Sequence, residues 1–134
     1  MKLVIGGFAQ GKLGYVMQHF SIEKENVVDM ADKKKLLDRD VEKTDNGSSI
    51  VLYHFHIWVK NGLAIGNYPE KELEKLIKQF PDCIIVSDEI GNGIVPMDAF
   101  DREYRDRLGR ILINLAKEAD EVVRVICGIG QKIK

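Results

Sequence analysis

The apolar run Leu3-Val4-Ile5 turns directly into Gly6-Gly7-Phe8-Ala9-Gln10-Gly11-Lys12, and a segment with helical periodicity follows. Strand, glycine-rich loop and helix in that order leave few folds open. The spacing fits the phosphate-binding loop G-x-x-x-x-G-K-[ST]. Glycines let backbone N–H groups close around phosphate oxygens, the helix N-terminus adds positive potential, and the lysine neutralises the β/γ-phosphates. Residues Gly6, Gly7, Phe8, Ala9, Gln10, Gly11, Lys12 and Leu13 are therefore the candidate nucleotide-binding set. Leu13 stands where a Ser or Thr hydroxyl would reach Mg²⁺, so the usual magnesium ligand is missing.

The remaining chain repeats the alternation of short apolar runs and longer helical stretches. Strands are predicted at Lys2–Ile5, Asn26–Met30, Ile50–Phe55, Cys83–Ser87 and Glu121–Cys127. Helices are predicted from Lys12 to about Phe20, over Pro69–Phe80 and from Ala99 to about Ala119. The Pro69–Phe80 stretch places acids early, lysines late and Leu73, Leu76, Ile77 and Phe80 on one face. Residues 31–46 are highly charged and are expected as an exposed helix or a loop. Ile90–Pro96 is a glycine-rich loop, and Gly128–Lys134 is expected as a basic tail. Strands separated by helices imply parallel βαβ units, and near-continuous apolar runs suit strands covered on both faces. The expected fold is α/β: a P-loop, mostly parallel sheet flanked by helices. Ligands in such sheets bind beyond the carboxyl ends of the strands.

With 134 residues the sequence is expected to form a single domain, 1–134. A formal net charge of -1 gives no basic field for nucleic acid. No apolar run approaches the roughly 18–20 residues of a membrane span, and the N-terminus has no signal-peptide pattern. Cys83 and Cys127 lie in apolar runs and are expected as buried free thiols. Together these place the chain in the cytoplasm.

A second signal lies in the C-terminal half. Residues 87–96 run S-D-E-I-G-N-G-I-V-P, followed by R-E-Y-R-D-R-L-G-R at 102–110, L-A-K-E-A-D-E-V at 115–122 and G-I-G-Q-K-I-K at 128–134. The series resembles the bifunctional adenosylcobinamide kinase / adenosylcobinamide-phosphate guanylyltransferase family of cobalamin biosynthesis. Its members carry an N-E-V-G-x-G-I-V-P loop, then a helix with R-x-[FY]-R-D-x-x-G-x-x-N-Q. The tract I-V-L-Y-H-F-H-I-W-V-K-N at 50–61 is similar to that family's V-L-L-D-C-L-T-L-W-L-S-N. The resemblance covers residues 1–20 and 50–134. It implies a RecA-like fold, a homo-oligomer, GTP or ATP as cofactor and adenosylcobinamide as partner. It further implies phosphorylation of a corrinoid hydroxyl, then guanylyl transfer through a histidine. Several positions depart from the pattern. Besides Leu13, Tyr53 replaces a strand-ending Asp, Asp88 replaces Asn, and Leu112-Ile113 replace Asn-Gln. Residues 21–49 hold no histidine. Two functions of different class follow: the family's NTP-dependent transfer, or a non-catalytic nucleotide- or corrinoid-binding regulatory or partner subunit.

Three side chains are candidates for catalysis. Glu89, between a buried strand and the glycine loop, is a general base, a metal-side group or a brace for loop N–H groups. His54 and His56, two apart on a predicted strand, would point to one side. They are a relocated guanylyl acceptor or base, a metal pair, or partly buried polar groups at a strand end. No metal ligand set is assigned. Arg102, Arg105 and Asp106 share a helix face and clamp a phosphate or corrin group, cross an interface, or form local ion pairs. Trp58 is expected in the core or an interface.

Overall fold

The computed structural model describes residues 1–32, 49–91 and 93–134. Six strands form one sheet in the order β2-β3-β4-β1-β5-β6. They are β1 (Lys2–Gly6), β2 (Val27–Asp29), β3 (Val51–Tyr53), β4 (Ile84–Asp88), β5 (Glu121–Ile126) and β6 (Ile129–Lys132). The first five are mutually parallel, and β6 returns antiparallel to β5. Among the described residues the α-helices are α1 (Lys12–His19), α2 (Phe55–Ala64), α3 (Glu70–Gln79) and α4 (Ala99–Glu118), with one 3-10 turn at Lys24–Asn26.

Period-two alternation sorts the strand side chains onto two faces. Leu3, Leu52, Ile85 and Val122 join Phe55, Val59, Leu73, Leu108, Ile111 and Leu115 in one core. That face is covered by α2, α3 and α4. Val4, Val51, Ile84, Val86, Val123 and Val125 face the other way and pack with Val16 of α1. Residues of both strand sets are buried, which explains the unbroken apolar runs. Helix α4 starts cleanly because the Asp98 side chain accepts from the Asp101 N–H at 3.1 Å. Helix α3 carries Glu70 and Glu72 in its first turn and Lys78 in its last, matching the helix dipole.

The structure corrects several expectations. Strand β3 ends at Tyr53 rather than Phe55, because His54 takes a left-handed conformation (φ 57°) and caps α2. The expected basic tail contains β6: its alternation is weak, but its backbone completes a hairpin with β5. Cys127 is exposed at φ 50° in the hairpin turn, whereas Cys83 is buried; both are free. Burial pushes the Cys83 thiol up to about 11. The expectation for 31–46 falls, from residue 33 on, outside the described residues.

The connection after β1 leads to the α1 face, while those after β3 and β4 lead to the opposite face. Divergent connections open a crevice at the carboxyl edge of the sheet. The glycine loop, residues 53–57 and Asp88 meet there.

Candidate nucleotide site

Gly11 begins α1 at φ 80°, a conformation that favours glycine, and a Cβ there would press on Gly128 Cα at 3.3 Å. At Gly6 a Cβ would collide with the Val125 carbonyl oxygen. These two glycines let the loop lie against β5 and the hairpin turn. Gln10 fastens it there. Its carbonyl accepts from the Gly128 N–H and its Oε1 from the Cys127 N–H, both at 2.8 Å. Nothing in the sequence motif points to this brace, since it needs the hairpin.

A cleft of about 460 Å³ is lined by Phe8, Ala9, Gln10, Gly11, Lys12, Leu13 and Gly14 on one side. Tyr53, His54, His56, Ile57 and Asp88 line the other. Lys12 is nearly buried, at 5% exposure, and its Nζ lies 2.5 Å from Asp88 Oδ1. The same ammonium donates to the Gly7 carbonyl at 2.6 Å. Asp88 thus neutralises the cation that would meet a phosphate. The Asp88 N–H also donates to His56 Nδ1 at 3.1 Å, and Asp88 Oδ2 lies 3.5 Å from His56 Nε2. Because Nδ1 accepts, the neutral ring carries its proton on Nε2, toward the carboxylate. Burial chiefly holds the His56 pKa below its ordinary 6.5, with His54 and Lys12 adding to this and Asp88 opposing it. Tyr104 of α4 donates to the His56 carbonyl at 2.8 Å, and burial, with Asp88 and Asp101, raises its phenol pKa. Burial, with Asp88 and Asp29, raises that of Tyr53 as well.

The two histidines do not share a strand face. His54 caps α2 and His56 sits in its first turn, with ring centroids 5.9 Å apart and planes at 82°. Among the described residues no group of three or more His, Cys, Asp or Glu is placed to hold a metal. The donor set does not fit the magnesium of the phosphate-loop motif either. Leu13 offers no oxygen, Tyr53 offers a phenol, and Asp88 is engaged by Lys12 and His56.

Glu89 is not brought into the cleft. It pairs with Arg124 of β5 at 2.9 Å, and its N–H donates to the Gly6 carbonyl at 2.9 Å. Its carboxylate meets a guanidinium of β5, not the loop N–H groups expected of a brace. Arg105 donates to the carbonyls of Gly91 and Ile94, and Arg102 to those of Pro96 and Met97. Both guanidiniums hold the glycine-rich loop after β4. Asp106 instead pairs with Arg110 at 2.8 Å. Trp58 packs beside Phe55 against the core.

Sequence reasoning does not assign a role to two acids of the edge. Asp88 is expected at the ligand edge and departs from Asn, but its pairing with Lys12 is not foreseen, and Asp29 is not a candidate. Both end an apolar strand, N-V-V-D and I-I-V-S-D, where a parallel sheet delivers residues to its ligand edge.

A family model described as cobinamide kinase / cobinamide phosphate guanyltransferase matches residues 16–133. The chain belongs to this family. Among its relatives, the bifunctional adenosylcobalamin biosynthesis protein CobU of Salmonella typhimurium is 42% identical over 69 residues, covering 48% of this chain and 38% of that protein. The protein of the same name from Escherichia coli is 42% identical over 67 residues, covering 47% and 37%. The aligned stretch therefore spans little more than a third of each relative. The match to the cobinamide kinase family begins after Lys12, so the phosphate loop rests on its own spacing and geometry. Fold and family agree: a mostly parallel sheet whose first strand runs into a phosphate-type loop.

Proposed function

We propose that this chain binds a nucleoside triphosphate, GTP or ATP, in the cleft between the Gly6–Leu13 loop and α2. There it transfers a phosphoryl group to adenosylcobinamide. The observation that carries the reading is the convergence of the glycine loop, Lys12 and Asp88 at the carboxyl edge of β1 and β4. Loop N–H groups and the α1 N-terminus receive phosphate oxygens. Lys12 leaves Asp88 for the β/γ-phosphates, where charge stabilisation dominates phosphoryl transfer. Guanylyl transfer is the second activity for which the family is named, and it extends the proposal to GTP. The cytoplasm is the proposed compartment, since it holds the nucleotide. Among the described residues no helix is long and apolar enough to cross a membrane. The proposal includes assembly of identical subunits, which light scattering tests directly.

Isothermal titration with GTP and ATP, each with and without Mg²⁺, tests the site. The expected result is micromolar binding of one nucleotide and at least a tenfold loss in Lys12→Ala, a cost of about 1.4 kcal/mol or more. Equal affinity in the variant refutes the loop's role. Binding without turnover of adenosylcobinamide would favour the regulatory reading over the enzyme.

A further inference from the structure

His54 and Ala9 are the cleft residues other than glycine that take a positive φ, and of the two only His54 carries a titratable side chain. Its backbone is left-handed, at φ 57° and ψ 35°, although it is not glycine, and its side chain makes no capping bond to α2. Such a conformation is costly for a residue other than glycine and persists where the surroundings impose it. What the conformation achieves is visible in the ring. Nδ1 lies 2.9 Å from Asp29 Oδ1 at the carboxyl end of β2. Asp29 is itself fixed, because the same oxygen accepts from the Ala31 N–H at 3.0 Å. The Tyr53 ring lies against the imidazole, centroids 3.7 Å apart. A carboxylate only accepts, so Nδ1 carries the proton and the neutral ring presents its lone pair at Nε2. Nε2 has no partner among the described residues, and His54 lines the cleft opposite the phosphate loop. His56, two residues on, has both ring nitrogens facing Asp88 and offers no such lone pair.

We propose that His54 is the general base of the phosphoryl transfer and that Asp29 is its positioning residue. This rests on the nucleotide reading above. The acceptor alcohol gives its proton to His54 Nε2 as its oxygen attacks the γ-phosphorus. The bond from that phosphorus to the β,γ-bridging oxygen breaks, and nucleoside diphosphate leaves. The imidazolium is stabilised by the Asp29 carboxylate on Nδ1–H, and it returns its proton to water. Among the described residues, the charged and titratable groups that contact the ring or line the cleft with it are Asp29, Tyr53, His56, Asp88 and Lys12, and Asp29 is the one placed on Nδ1.

The test uses His54→Gly, which suits the positive φ and so keeps the fold, with adenosylcobinamide as acceptor. Removing a general base lowers kcat by about 10²–10⁴-fold. Nucleotide affinity is expected to stay within about threefold. Added imidazole should restore at least about tenfold of the rate, and the acid limb of the pH profile should follow the basicity of the added imidazole. Asp29→Asn should lower kcat and shift that limb in the intact His54 ring. Turnover near wild type in His54→Gly overturns the proposal, as does a loss that imidazole does not restore. A nucleotide bonded covalently to His54, seen by mass spectrometry, overturns it too, since the ring would then be a nucleophile. Wild-type protein that binds nucleotide but transfers nothing overturns the catalytic assignment and leaves the binding site standing. Wild-type protein that binds neither nucleotide removes the site reading itself.

Discussion

His56 is a partly buried base whose pKa is lowered in the fold, and that makes stability depend on pH. Its folded pKa lies below 6.5, first through burial and then through His54 and Lys12. Below about 6.5 the unfolded chain takes up a proton that the folded chain resists, so the unfolded state binds more protons and stability rises with pH. Above that value both states are neutral and the histidine contributes no slope. The urea midpoint is therefore expected to fall between about pH 7.5 and about pH 5.5. In His56→Asn, whose amide oxygen still accepts from Asp88, the decline should be shallower. An unchanged slope would place the titration elsewhere. At this scale the sequence is legible where a function needs contiguous residues. Gly6, Gly11 and Lys12 announce themselves by spacing. The Asp29–His54 contact does not, because its partners are 25 residues apart and meet only when β2 pairs with β3.

Element boundaries follow from what each end must satisfy. The helices α3 and α4 are legible because acids, apolar stripes and lysines fall in helical order. The hairpin β5–β6 is not, since I-G-Q-K is short, glycine-bearing and mostly exposed. Yet this hairpin braces the phosphate loop through Gln10 and lets α1 sit close. A Cβ on Gly130 would enter the Tyr15 ring of α1. Gly130→Ala should therefore destabilise by about 1–3 kcal/mol through overpacking. Tyr15→Ala in the same chain should remove most of that cost, giving a double-mutant coupling above about 0.5 kcal/mol. Additive losses would show that glycine is present for backbone reasons instead. Nucleotide affinity should fall in Gly130→Ala as well, because the loop and the hairpin move together through Gln10.

Across the whole molecule, two cores on opposite faces of one sheet hold the cleft at its edge. The order strand, glycine loop, helix predicted the edge, and alternating elements predicted the parallel sheet. Which strands deliver acids to the edge depended on strand order, with β1 between β4 and β5, and no local pattern encodes that order. The architecture separates stability from binding. Leu108 of α4 is fully buried in the core of the α2–α4 face, and it does not line the cleft. Leu108→Ala should cost about 2–5 kcal/mol as a cavity. A ligand that binds only the folded state adds about 2.7 kcal/mol at a hundredfold excess over its Kd. That increment depends on the residues that line the cleft, and Leu108 is not one of them. Nucleotide should therefore raise the unfolding free energy of wild type and Leu108→Ala by the same amount from different baselines. Lys12→Ala should show an increment smaller by about 1.4 kcal/mol or more at the same concentration. An increment that shrinks in Leu108→Ala would mean that the two faces are coupled through the sheet. Persistence of the full increment in Lys12→Ala would move the ligand away from the phosphate loop.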